Sequence, residues 1–353
     1  MFIGILDWGL GHTTRIIPLI TYLRQTECQI FIAVTREQRK LIENEVDSVE
    51  FVQIEGYNVR YSSNSRLLGL AISSQIPRIW RLIGRENARL DQLMKIHRFD
   101  LIISDNRYGL FHKDCHSVFI SHQITILSGL GSLVDGLLRR IHLRLIRRFD
   151  ECWVPDNDRY PNLSGLLGHP PNTSDHLKYI GPLSRFIHIN TPKELDLLII
   201  LSGPEPQRTK LETILTEQLK TFKQAYLLVR GIISDQPSAL PNSVNYLPGK
   251  ALNQAICSAS MVISRSGYTS IMDLVKCKQK AILIPTPGQT EQEYLARYLQ
   301  EQGIFLRAKQ DDFNLTESLN RVSGFDFKIP ELDFEQYGPV LTRLMQSLPQ
   351  PSS

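Results

Sequence analysis

Two apolar segments of this chain, Met261-Val262-Ile263 and Ala281 to Ile284, each run into a short turn and then into a helix-forming stretch. The whole unit, residues 260–296, reads SMVISRSGYTSIMDLVKCKQKAILIPTPGQTEQEYLA. Strands joined through single helices are crossover-connected, so they build a parallel sheet with helices on its faces. In such a sheet the turns that follow the strands line one edge, where ligands bind. The first turn, Ser264-Arg265-Ser266-Gly267, opens a helix whose unpaired amides and positive dipole end suit a phosphate. Gly267 permits close backbone approach, and Ser266 or Thr269 offers a hydroxyl. Asp273 shares a helix face with Thr269 and Ser270, and its carboxylate can accept from two vicinal ribose hydroxyls. The second turn, Pro285-Thr286-Pro287-Gly288, opens a helix with Gln289 and Gln292 at its start. Singly, Ser266 reads as a helix cap and Asp273 as a solvated helix residue. Together, at two neighbouring strand ends, these residues point to a nucleotide site.

The same alternation runs along the rest of the chain. Apolar runs predict strands at 2–7, 28–34, 49–54, 100–104, 117–121, 151–154 and 177–180, with helices over about 12–26, 36–46, 66–96 and 130–149. The pattern restarts at Leu195–Leu201, a nearly continuous apolar run of the kind buried in a parallel sheet. Strands at 224–230, 243–247, 260–264 and 281–285 follow. Gly181-Pro182 and Thr191-Pro192 bracket a linker. The expected division is therefore 1–180, 181–334 and a closing helix and tail over 335–353, and the expected class is α/β with two Rossmann-like, doubly wound parallel sheets.

Composition narrows the function. An apolar content of 42% over 353 residues suits two full cores. Five scattered cysteines, never in a C-x-x-C pair, fit a reducing cytoplasm without a disulfide framework or zinc module. The start MFIGILDWGLGHTTR lacks a basic n-region and reads as a first strand, and no apolar run is long enough to span a bilayer. Net charge is only +4 but uneven: residues 56–98 hold eight Lys or Arg against Glu86 and Asp91, and RRIHLRLIRR, from Arg139 to Arg148, holds five Arg and no acid. These are either solvated faces of core helices or a surface for an anionic membrane or phosphate-bearing acceptor. Nucleic acid is not an expected partner, since no reader motif is present.

Strand one ends in Asp7-Trp8-Gly9-Leu10-Gly11-His12-Thr13-Thr14-Arg15. Its glycines allow a tight turn, and a helix start keeps the His12 imidazole neutral and able to take a proton from a hydroxyl. His12 equally serves as a helix cap. Ser104-Asp105-Asn106-Arg107 falls at another strand end, within reach of an acceptor. His112, Asp114, Cys115 and His116 have metal-like spacing but lack a further ligand, so no metal is expected.

The 260–296 unit resembles the donor-binding signature of glycosyltransferase family 28, R-S-G-x-x-[ST]-x-x-E, here carried by Arg265, Ser266, Gly267, Ser270 and Asp273, with Gln292 at the following helix start. Asp273 stands where the family has Glu, and Ala296 where an Asn is frequent. The resemblance implies a GT-B fold, two domains facing a cleft, with a UDP-sugar donor held by the second half, inverting transfer to an acceptor hydroxyl, and no cofactor or metal. It also implies a Gly-rich first loop ending in G-H, with Gly11, His12 and Thr13 near the reacting centre and His12 as general base. His122, after the 117–121 strand, is similar to a His-bearing strand end that lines the same cleft in the family, and it reads equally as a loop histidine. Ile180-Gly181-Pro182-Leu183-Ser184-Arg185 is similar to the family's G-x-P-x-R element, whose Arg reaches the donor diphosphate. Ser202 and Gly203 occupy the second phosphate loop, which two prolines stiffen so that Gln207 or Arg208 takes over contacts. Tyr246 matches a strand end where backbone meets the base. An acceptor that is lipid-linked, and a cytoplasmic chain peripheral on the inner face of the membrane, agree with the basic helices. Three other readings stay open: a nucleotide-sugar hydrolase, suggested by G-L-G-H; an NADP-dependent oxidoreductase using Gly9, Gly11 and Arg36; and a non-catalytic sugar-nucleotide binder.

Overall fold

A computed structural model describes residues 1–57, 76–171, 175–232, 234, 237–238 and 240–348. The start of the expected 66–96 helix, with Arg60 and Arg66 of the basic stretch, lies outside the described residues. The chain divides into two compact units, the first taking the described residues up to 183 and those from 332 onward, the second Ser184–Glu331.

The first unit is built on β1 (Phe2–Ile5), β2 (Phe31–Val34), β3 (Glu50–Gln53), β4 (Leu101–Asp105), β5 (His116–Ile120), β6 (Glu151–Val154) and β7 (Leu177–Tyr179). All pair in parallel in the order β3-β2-β1-β4-β5-β6-β7. The central strands are buried on both faces, which is why they read as unbroken apolar runs. The expected 28–34 strand is shorter at its start, because its ladder with β1 begins at the Phe2–Phe31 pair. Helices α1 (Leu10–Leu23), α2 (Arg36–Glu43), α3 (Ile76–His97) and α4 (Ser132–Ile146) connect these strands. A capping box starts α2: Thr35 accepts from the Gln38 amide while the Gln38 side chain accepts from the Thr35 amide.

The second unit contains β8 (Leu195–Ile200), β9 (Tyr226–Val229), β10 (Ser243–Val244), β11 (Ala259–Ser264), β12 (Ala281–Leu283) and β13 (Leu306–Arg307), parallel in the order β10-β9-β8-β11-β12-β13. Its helices are α5 (Gln207–Leu219), α6 (Gly249–Ser258), α7 (Tyr268–Lys276), α8 (Thr290–Glu301) and α9 (Leu315–Ser323). Leu197, Ile199, Leu211, Leu215, Met261, Ile263 and Ile282 form its core. The expected strand to 247 stops at Val244, because β9 ends at Val229, its last partner.

Each sheet thus reverses its winding once, between β1 and β4 and between β8 and β11. At such a switch point the flanking loops leave for opposite faces and open a crevice. The closing helix α10 (Tyr337–Ser347) belongs to the first unit and packs on α1. The Tyr22 hydroxyl meets Thr342 Oγ1 at 2.6 Å, and the Tyr22 and Tyr337 rings cross edge to face at 5.9 Å.

Candidate active site

His12 stands at the switch point of the first sheet. Gly9, at φ 82, turns the chain sharply from β1 into α1, and no side chain caps the helix start. Asp105, the last residue of β4, meets it there: His12 Nδ1 lies 2.9 Å from Asp105 Oδ2. The other carboxylate oxygen accepts from Arg15 Nη2, one turn further along α1. Asp105 and Arg15 are almost wholly buried, whereas the His12 side chain keeps 15% of its surface open. Burial works against ionisation of Asp105, but Arg15 and then His12 outweigh it and hold the carboxyl below its usual range. Burial, then Arg15, hold the imidazole below its ordinary pKa against the opposing pull of Asp105. An ionised carboxylate on Nδ1 requires the proton there, so Nε2 carries the lone pair. The arrangement is a neutral base with its tautomer fixed.

This corrects several expectations. Asp105 has no exposed surface, so it positions His12 and touches no acceptor. Thr13 is likewise sealed and accepts from Gln38 Nε2 at 3.1 Å, while the same amide donates to Leu6 O at 2.8 Å. It ties α1 to the end of β1. Gly11 lies within α1, its carbonyl accepting from Thr14 Oγ1 at 3.1 Å. His122 is buried, and its Nδ1 lies 3.1 Å from Arg15 Nη1. A guanidinium only donates, so that nitrogen accepts and His122 backs Arg15 from behind. The Ser104–Arg107 turn is fixed as well: Ser104 Oγ donates to Arg107 O at 2.6 Å, and Arg107 is bound to Glu86 and to Ile5 O. Among the described residues no three metal-ligating groups converge. His112 faces Asp91 and Asp114, and His116 faces Glu151.

At the switch point of the second sheet, the loops after β8 and β11 meet. Arg265 is 1% exposed and its two terminal nitrogens are engaged in bracing: Nη1 donates to Ile284 O and Pro285 O, both at 3.2 Å, and Nη2 to Gln207 O at 2.8 Å and Gln310 Oε1 at 2.7 Å. Among the described residues no carboxylate pairs with this charge, and burial lowers its pKa to about 10. Ser266 also departs from its expected role, its hydroxyl donating to Gln292 O at 2.9 Å. The Gln292 side chain accepts from the Thr286 amide at 2.9 Å and donates to Gln289, and Glu293 takes the Gly288 amide at 2.9 Å. The second turn therefore satisfies its own amides. Its helix start carries Glu291 and Glu293, which disfavour an anion.

The first turn is built differently. No side chain caps α7, and a Cβ on Gly267 would meet nothing within 4 Å. Gly267 sits at φ −68, which any residue adopts, so the glycine keeps space clear above the amides. Arg265 Nε and Thr286 Oγ1 are buried donors without an acceptor among the described residues. Both lie beside Gly203, whose Cβ would stand 3.4 Å from Thr286 Oγ1 and 4.0 Å from Arg265 Nε, and whose φ of +100 favours glycine. Ser202 and Gly203 are exposed, as is Tyr246. Gln207 is instead paired with Gln310, and Arg208 with Glu205 and Glu212, so neither takes over their contacts. Asp273 Oδ1 accepts from Ser184 Oγ at 2.5 Å. Burial raises its pKa to about 7, against Ser184 and Arg185. Arg185 is half-buried beside it, its guanidinium 5.1 Å from the Phe186 ring centre. Ser270 is half-buried one turn before Asp273.

Two solved structures share the fold over nearly the whole chain. The calicheamicin glycosyltransferase CalG4 does so with a TM-score of 0.61 and 13% identity, covering 98% of this chain and 94% of its own. The Acinetobacter baumannii MurG does so with a TM-score of 0.52 and 13% identity, covering 98% and 95%. In sequence, a UDP-N-acetylglucosamine--N-acetylmuramyl-(pentapeptide) pyrophosphoryl-undecaprenol N-acetylglucosamine transferase of Histophilus somni (strain 129Pt) is 23% identical over 336 residues, 90% of this chain and 87% of that protein. The transferase of the same description from Prochlorococcus marinus (strain MIT 9215) is 30% identical over 142 residues, 37% of this chain and 39% of its own. The chain is a GT-B, nucleotide-sugar-dependent glycosyltransferase. It resembles family 28 in particular, since residues 238–323 match the glycosyltransferase family 28 C-terminal domain.

Proposed function

We propose that the chain moves a hexose or N-acetylhexosamine from a UDP-sugar to the hydroxyl of a lipid-linked acceptor, with inversion and without a metal. The hydrogen bond from His12 Nδ1 to Asp105 carries this reading. His12 Nε2 takes the acceptor hydroxyl proton as the oxygen attacks the anomeric carbon. The bond to the diphosphate oxygen breaks in the same displacement, so UDP leaves and the configuration inverts. Developing charge on the diphosphate is met by the uncapped α7 start, Ser202, Gly203, Arg185 and the uncompensated Arg265. Asp273 and Ser270 serve the ribose, and Tyr246 the base. In this division of labour residues 1–180 serve the acceptor, residues 181–334 the donor, and the 335–353 tail returns to the first unit.

The lipid-linked acceptor rests on two supports. The curated relatives are named for a pyrophosphoryl-undecaprenol substrate. In addition, α4 exposes Leu133, Leu137 and Ile141, four residues apart on one face, with Leu133 91% exposed. Arg140, Arg144, Arg147 and Arg148 are exposed alongside, a pattern suited to the cytoplasmic face of an anionic bilayer. Among the described residues no helix is long and apolar enough to cross a membrane.

Thermal shift across nucleoside diphosphates, then product analysis with UDP-sugars, tests the reading. UDP should stabilise the protein, and His12→Ala should abolish transfer while UDP binding persists. Absence of a shift with every nucleoside diphosphate sinks the donor site. Sugar release to water at the full rate, without acceptor, would make the chain a hydrolase instead.

A further inference from the structure

The first unit holds a cavity that the His12 cluster leaves unused. It measures about 440 Å³ and is lined by Glu55, Gly56, Arg78, Arg81, Leu82 and Arg85. That volume falls within the roughly 300–1,000 Å³ range of small-ligand pockets. Glu55 and Gly56 follow β3, on the carboxyl edge of the parallel sheet where β1 delivers the His12 loop. The three arginines occupy one face of α3, at spacings of three and four residues. Leu82 packs with Leu6 and Tyr57, and the Tyr57 amide donates to Asp7 Oδ1 at 2.8 Å. The cavity floor is therefore fastened to the strand end that begins the catalytic loop.

Its charge is one-sided. Among the described residues the Glu55 carboxylate pairs with Arg85, at 3.5 Å, with both side chains about 70% exposed, a pair of little energetic weight. Arg81 uses Nε on Pro77 O at 3.4 Å, which steadies its stem and leaves its terminal nitrogens without a protein acceptor among the described residues. Arg78 has no hydrogen-bond or ion-pair partner among them either. Neighbouring acids do not compensate: both Glu86 oxygens are bound by Arg107 and Tyr57 on the inner side, and Asp91 faces His112. Clustered guanidiniums with unused donors are matched by a phosphate, whose oxygens accept a planar fork in pairs.

We propose that this cavity is an anion subsite for a phosphate or diphosphate group of the acceptor, held by Arg78 and Arg81 with Arg85 at its rim. The proposal rests on the glycosyltransferase reading above and deepens it. The first unit then recognises its acceptor twice, through the hydroxyl at His12 and through a negative charge at α3. A neutral acceptor lacks the second contact.

The test uses the full chain with saturating UDP to fill the donor site, and inorganic pyrophosphate as probe, in isothermal titration at low salt. Pyrophosphate is expected to bind the UDP-saturated protein. Its affinity should fall at least about tenfold in the Arg78→Ala, Arg81→Ala double variant. Arg81→Lys should lose part of it, because a point charge lacks the fork. The double variant should keep its thermal midpoint and its UDP affinity, which separates loss of a subsite from loss of fold. No pyrophosphate binding to the UDP-saturated wild type, or equal binding by the double variant, overturns the proposal. A second arm compares vesicles of phosphatidylcholine with and without phosphatidylglycerol. Arginine-dependent vesicle binding without pyrophosphate binding assigns α3 to bilayer headgroups and overturns the acceptor assignment. Should UDP fail to bind, the donor reading falls, while the arginine dependence of pyrophosphate binding still decides the subsite.

Discussion

His12 Nδ1 and Asp105 Oδ2 stand 2.9 Å apart, and this one hydrogen bond sets which ring nitrogen is available to a substrate. Removing the imidazole should lower kcat by roughly 10²–10⁴, the usual weight of a positioned general base. His12→Ala should leave the donor Kd within about twofold, since the proposed role of the ring is on the acceptor side of the reaction. Steady-state UDP release and equilibrium UDP titration measure the two.

Asp105→Asn is expected to act twice. It permits the wrong tautomer of His12, so kcat falls although His12 is intact. It also strands Arg15, which is 1% exposed, as a buried charge without its carboxylate, at a cost of about 3–5 kcal/mol. A thermal midpoint that does not fall, measured beside kcat, would show that Arg15 finds another counter-charge.

The pH profile follows from the same cluster. Burial and Arg15 lower the His12 pKa, so the ring stays unprotonated into mildly acidic solution. The acid limb of kcat/KM should have its midpoint below the ordinary imidazole value of 6.5, and His12→Ala should erase that limb.

Donor binding should show a separate pH dependence through Asp273. Its folded pKa, about 7, lies above the model-compound value of 3.8. In the proposed role the ionised form accepts ribose hydroxyls, so UDP affinity should weaken as pH falls through about 7. For stability the sign is opposite. A raised acid pKa means that folding disfavours the charge, a penalty absent below 3.8 and complete above about 7. Asp273→Asn, which keeps an acceptor for Ser184, should raise the midpoint at pH 8 by about 2 °C or more and change it little at pH 3.5. UDP affinity should drop in the same variant.

Thr286→Val removes a buried hydroxyl that has no partner among the described residues. Without ligand this should cost nothing or stabilise slightly, because an unsatisfied polar group is removed. If the hydroxyl serves the donor diphosphate, UDP should bind about tenfold more weakly, roughly the weight of a hydrogen bond to a charged group. Calorimetric titration with UDP, next to a melting curve, reads both effects.

The sequence announces the sheets because strands buried on both faces must be continuous apolar runs, as Leu195–Leu201 is. It announces the strand ends because turn residues follow each run, which puts His12 and the 264–267 turn in view. The partnership of His12 with Asp105 spans 93 positions and depends on β1 lying beside β4, a neighbour relation that no local pattern encodes. Arg265 misleads for a different reason. A polar turn reads as solvent-facing, yet its guanidinium is satisfied mostly by main-chain carbonyls, and carbonyls are identical whatever the residue. Gln292 was visible as an amide at a helix start, but its pairing with Gln289 and the Thr286 amide depends on a loop path that proline spacing leaves open. The cavity beside α3 escaped because its arginines read equally well as a solvated face.

Arg265 has one more consequence. Its two terminal nitrogens hold Gln207, Ile284, Pro285 and Gln310, residues that span about a hundred positions of chain. Local opening at any one of these segments must break the same buried guanidinium contacts, so the segments exchange their amides with solvent together, as one cooperative unit. A nucleotide that docks against this edge therefore slows hydrogen exchange in segments it never touches.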